Sequence, residues 1–211
     1  MSAAPSEEGR RLATALDAVT RVHRDVAALL ETSVGMMQEA GFEIATDAGS
    51  MVDLSTAIYR PRDWMPHEVH RYMVSDKRPQ VLVALVVFLT NREDKEARRF
   101  DEPLVATTWF RFETSAGKYN GKDWKLWYSR WHVWLGAVAH ADWARRNVED
   151  YPQKERDEWE YRFRELSSRA IPLASVRDAE SLRAQVIAPL LADLPTPQRG
   201  GSAPSEPLTI P

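Results

Sequence analysis

The chain contains no cysteine. Disulfides, thiolate metal sites and a cysteine nucleophile are therefore excluded, and the composition suits a reducing compartment. Long hydrophobic runs are also missing. The longest is Val81–Leu89, far short of the roughly 20 residues that a membrane-spanning helix needs. The opening residues, MSAAPSEEGRR, lack the apolar stretch of a secretory signal. The expectation is a cytoplasmic protein with no membrane partner. Charge of one sign is scarce as well. A net charge of −3 and a pI near 6.0 supply no overall field to attract nucleic acid, so a weak, salt-sensitive nucleic-acid contact would need a local basic patch.

The common catalytic signatures are absent. There is no glycine-rich phosphate loop of the P-loop or dinucleotide type. There is also no H-E-x-x-H zinc helix, no G-x-S-x-G elbow and no EF-hand loop. An acetyltransferase would share a helix followed by a hairpin, but its pyrophosphate-binding glycine turn is missing. No cofactor is implied.

The chain does contain 211 residues, 44% of them apolar and 28% charged, an ordinary globular composition. Residues 1–6 read as a flexible N-terminus, 7–194 as one domain and 195–211 as a disordered Pro/Gly/Ser-rich tail. Ser6 with Glu7 and Glu8 begins a helix. Leu12, Leu16, Val19, Val26, Leu30, Val34 and Met37 recur at helical spacing to about Ala40, and Gly41 ends the helix. So long a helix either spans a sheet face or lends part of its stripe to a second copy, making a homodimer.

Phe42–Asp47 alternates as a strand, and Met51–Tyr59 is a second candidate. Asp63 caps an expected short helix through about Met73, with Trp64, Val69, Tyr72 and Met73 on its buried side. Val81–Thr90 and Leu104–Phe112 are the clearest strands, joined by a charged loop. The first is apolar almost throughout, which marks a central strand covered on both faces. Trp124, Trp127, Trp131, Trp134 and Val138 give a Trp-rich helix, with a strand over 126–135 as the alternative. Lys154–Ser168 reads as an amphipathic helix and Ala170–Val176 as a strand whose Pro172 requires an edge position. Asp178 caps a last helix that Pro189 kinks. The order predicts an α+β fold: a mainly antiparallel sheet of about four to five strands, with a long N-terminal helix, the Trp-rich helix and C-terminal helices packed against it.

Three constellations carry chemistry. His67 and His70 flank Glu68. On a helix their imidazoles would share a side, near metal-pair spacing, but no third ligand stands at a fixed distance and no metal is assigned. Glu93-Asp-Lys95 matches the carboxylate-x-lysine element of Mg²⁺ nucleases, with Asp53 as the upstream acid. That yields an alternative reading as a metal-dependent nuclease or hydrolase. The more distinctive feature pairs aromatic with basic residues: Arg60, Arg62 and Trp64 before the hairpin, Trp109 and Arg111 on its second strand, and Arg130 in the Trp-rich segment. Trp109 and Arg111 lie two apart and therefore share a sheet face. Arginine beside indole suits an anionic ligand or partner, although tryptophans at regular spacing also build cores. The sequence thus favours a non-enzymatic binding or regulatory module whose aromatic/arginine face holds a protein partner or a small anionic ligand.

Overall fold

A computed structural model describes residues 6–45, 68–89, 102–112, 142–147, 149 and 163–196. Helix α1 spans Glu7–Glu39. Its N-cap, Ser6, accepts a hydrogen bond from the Gly9 amide at 3.1 Å, and Glu7 and Glu8 occupy the first turn. At the other end Gly41 takes φ 83°. The Gly41 amide donates to the Gln38 carbonyl at 2.9 Å and the Phe42 amide to the Met37 carbonyl at 3.0 Å. That is a Schellman closure, and it turns Phe42 into the core beside Met37.

Strands β1 (Glu43–Ile44), β2 (Glu68–Val74), β3 (Val81–Phe88), β4 (Leu104–Phe112), β5 (Ala144–Asn147) and β6 (Phe163–Pro172) follow. They form an antiparallel six-stranded sheet in the order β1-β2-β3-β4-β6-β5. A 3-10 turn, Leu173–Ser175, leads to α2 (Ala179–Leu182), a π-helical turn over Arg183–Ile187, and α3 (Ala188–Asp193). Asp178 caps α2 reciprocally: its carboxylate accepts from the Ser181 amide at 2.7 Å, and the Ser181 hydroxyl accepts from the Asp178 amide at 2.9 Å. The class is α+β, with more strands than the sequence suggests.

Registry sorts the side chains by parity. Even residues pair with even across β2, β3, β4 and β6, as in Tyr72↔Ala84, Ala84↔Thr108 and Thr108↔Ser168. The odd-numbered face, with Met73, Val83, Leu85, Val105, Trp109 and Ile171, packs against Val26, Leu30 and Met37 of α1 and against Leu182, Val186 and Leu190. Each such aliphatic side chain contributes about 1.5–3 kcal/mol by leaving water. The even-numbered face is buried too, and every residue of β3 is buried, as its unbroken apolarity implies.

Two expected helices are strands. Residues 68–74 form β2 where a helix through Met73 is expected, and the C-terminal part of the expected 154–168 helix belongs to β6. In both, polar residues occupy buried positions (Glu68 and His70 in β2, Ser167 and Ser168 in β6), so no hydrophobic alternation marks the strand and a chance three-or-four spacing stands out. Pro172 ends β6 beyond the residues that β5 pairs, 165–168, where among the described residues the outer edge is open. The proposed strand at Met51–Tyr59, the 91–100 loop, the Trp-rich segment 124–138, residues 1–5 and most of the tail, 197–211, lie outside the described residues.

Candidate functional site

On the odd-numbered face, β4, β6 and β5 bring a set of polar side chains to one corner of the sheet. Registry places Trp109 opposite Ser167 and Arg111 opposite Glu165, while on the other side of β6 Arg145 stands opposite Ser167 and Asn147 opposite Glu165. A β-bulge between Arg111 and Phe112 lies at this corner, the kind of irregularity that re-aims side chains.

Trp109 forms the floor. It is 1% exposed, and its indole N–H donates to Oδ2 of Asp193 at 2.8 Å. The other oxygen of Asp193 accepts from Arg145 Nη2 at 2.5 Å, and that guanidinium stands 6.0 Å from the Trp109 ring centre. The hydrogen bond to Asp193, and then its charge, push the pKa of Arg145 up. One carboxylate of α3 thus fixes both the ring and the cation beside it. The ring that the sequence suggests as a stacking platform is buried in this arrangement, while Arg145 itself is 57% exposed.

Arg111 is the second cation. Its Nη2 meets Oε2 of Glu165 at 2.8 Å, and its side chain is about one-third exposed, at 31%. Among the described residues, the buried Nε–H of Arg111 meets no hydrogen-bond partner, and neither does the hydroxyl of Ser167, a residue fully buried on the neighbouring strand. Arg111 and Ser167 are diagonal neighbours across the β4–β6 pair, at a backbone spacing of about 7–8 Å. A buried polar group left unsatisfied costs about 1–3 kcal/mol, so two in adjacent positions mark the corner as more than packing.

Of the residues singled out in the sequence, the structure brings Trp109 and Arg111 to this corner. Arg60, Arg62, Trp64 and Arg130 lie outside the described residues, as do Asp53, Glu93 and Lys95 of the nuclease reading. Sequence reasoning missed Arg145, Glu165, Ser167 and Asp193. Arg145 follows Trp143 in WARRN, with the same spacing of tryptophan and arginine as Trp109 and Arg111. Ser167 had no signal, since only the register reveals its neighbours.

The even-numbered face carries a second polar row. Glu68, His70 and Tyr72 alternate along β2 and are all buried. His70 Nε2 is 3.7 Å from Glu68 Oε2, and the His70 and Tyr72 rings stack at 6.0 Å. Two strands away, the hydroxyls of Thr108 and Ser168 share a 2.7 Å hydrogen bond. Burial first, and the charge of Glu68 second, push the Tyr72 hydroxyl well above its ordinary value. The metal-pair geometry considered for His67 and His70 assumed a helix. His70 lies on a strand and His67 is outside the described residues. Among the described residues no group of three His, Asp or Glu side chains is arranged to hold a metal ion, and no helix is long and apolar enough to cross a membrane.

Compared with protein-family models, with curated proteins and with solved structures, the chain matches none.

Proposed function

We propose that the protein is a non-enzymatic binding module, and that the β4–β6–β5 corner holds a small anionic ligand of the carboxylate or phosphate class. The observation that carries this reading is a pair of buried groups that meet no hydrogen-bond partner among the described residues, Arg111 Nε–H and Ser167 Oγ–H, with Arg145 beside them. Both groups donate. A guanidinium has five N–H donors and no acceptor; the ion pair with Glu165 and the one with Asp193 each engage a single terminal nitrogen of their arginine. What remains suits an oxygen-rich anion better than a cation or an apolar molecule.

The same ion pairs temper the site. Glu165 and Asp193 balance Arg111 and Arg145, so the corner is neutral and attracts an anion through directed hydrogen bonds rather than through net field. Specificity for shape then exceeds long-range steering.

Arg111→Ala tests the reading. Thermal unfolding should stay near wild type, because the residue is a third exposed, while the stabilisation by added phosphate or citrate seen with wild type should disappear. A variant that unfolds would instead make Arg111 a structural residue and remove the best support for the site.

A further inference from the structure

Ser167 lies in the middle of a row. Trp109 of β4 and Arg145 of β5 are its partners across the two strand pairs, so all three project from the odd-numbered face at one level of the sheet. The outer two side chains nevertheless meet. The Arg145 guanidinium stands 6.0 Å from the Trp109 ring centre, and Asp193 joins them, with Oδ2 on the indole N–H and Oδ1 on Arg145 Nη2. Neighbouring strands are about 4.8 Å apart, so this bridge spans two strand spacings and crosses β6 at the level of Ser167. Serine is small enough to pass beneath it. Ser167 is fully buried there, although β5, the strand beside it, is largely exposed.

Helix α3 does not by itself account for the bridge. Asp193 is the last residue of that helix, at the negative end of its dipole, and no basic residue in the last turn compensates. Its position is set from the sheet, by Trp109 and Arg145. These two ties differ in kind. The indole is a buried ring, whereas Arg145 is more than half exposed on a four-residue strand whose outer edge is open among the described residues. An ion pair with an exposed partner is weak, so the bridge opens on its Arg145 side.

On the reading of the corner as an anion site, we infer that Asp193 is its latch. In the resting protein the Asp193 carboxylate holds Arg145 across Ser167. The incoming anion replaces that carboxylate on Arg145 as it reaches Ser167 Oγ–H and Arg111 Nε–H. One oxyanion–guanidinium contact is exchanged for another, so the cation is never left alone. Asp193 keeps its indole bond but loses the other of its two ties to the sheet, and occupancy of the corner is transmitted to the last turn of α3. The closed latch also lowers the apparent affinity, by the fraction of molecules in which it stands open.

Hydrogen exchange and isothermal titration on the full chain test it, with inorganic phosphate, acetate, succinate and citrate as probes. At saturating anion the amides of 109–111 and 165–167 should exchange more slowly. Those of Leu191 to Asp193 should exchange about fivefold faster, the factor for loss of one exposed ion pair. Asp193→Asn, whose amide oxygen still accepts from Trp109, should bind the same anion at least about fivefold more tightly. Protection at the corner with unchanged or slower exchange at 191–193 would overturn the latch and leave the anion site standing. So would a folded variant that binds no more tightly; if the variant does not fold, exchange in wild type decides alone. Binding of none of the four anions by either protein would end both readings.

Discussion

Arg169 donates from Nη1 to the backbone carbonyl of Gln185 at 2.6 Å. That carbonyl lies four residues before Pro189, the position an α-helix would serve with an N–H that proline lacks. The helix passes this point as a π turn, and a guanidinium from the sheet supplies the donor. One side chain of β6 thereby reconciles a proline inside the last helix with the burial of Val186, Ile187 and Leu190 against the core.

Arg169→Met should therefore destabilise the fold. It keeps the apolar stem but removes the donor to a half-buried carbonyl, at a cost of about 1.5–3 kcal/mol for a charge-assisted hydrogen bond. Urea unfolding measures the loss. Pairing the change with Pro189→Ala, which restores an N–H, should recover part of it.

Gly41→Ala isolates a backbone effect. A Cβ at this position would meet nothing closer than Lys77 Nζ at 3.8 Å, so sterics with neighbours are harmless. The left-handed conformation alone costs an alanine about 1–2 kcal/mol, and thermal or denaturant unfolding should show a loss of that size.

Tyr72 should make the fold less stable at alkaline pH. Its folded hydroxyl resists ionisation through burial and through Glu68, while in the unfolded chain it titrates at its ordinary value of 10.0. Above that pH the unfolded state holds fewer protons than the fold, so stability is full below about pH 10 and falls beyond it by up to about 1.4 kcal/mol per pH unit. Tyr72→Phe should flatten this decline. Comparing the slopes of unfolding free energy above pH 10 for the two proteins checks it, independently of any offset at neutral pH.

Much of the scaffold is legible in the sequence because its signals are local. Ser6, Gly41 and Asp178 mark helix ends through side chains or a φ that act within a few residues, and each does so in the structure. Val81–Phe88 and Leu104–Phe112 declare themselves by unbroken apolarity and β-branching. Residues 68–74 and 163–172 do not, since polar residues such as His70, Ser167 and Ser168 sit at buried positions where a hydrophobic pattern would be sought. The corner is half legible for the same reason. Trp109 and Arg111 are two apart on one strand, so their shared face follows from period alone. Their neighbours Ser167 and Arg145 arrive from 58 and 36 residues away through strand register, which no local pattern encodes.

Ser167→Ala is the most direct test of the ligand corner. Ser167 Oγ is buried and without a partner among the described residues, so exchanging it for hydrogen should leave stability unchanged or raise it by about 1–2 kcal/mol. If the hydroxyl is held there for a ligand, the same change should weaken binding. Isothermal titration of wild type and variant with inorganic phosphate, acetate, succinate and citrate decides the matter. The account predicts that at least one of these anions binds wild type and binds Ser167→Ala at least about tenfold more weakly, for loss of one hydrogen bond to an anion, in a protein no less stable. A variant that is destabilised, or one that binds the same anion as well as wild type, would contradict it.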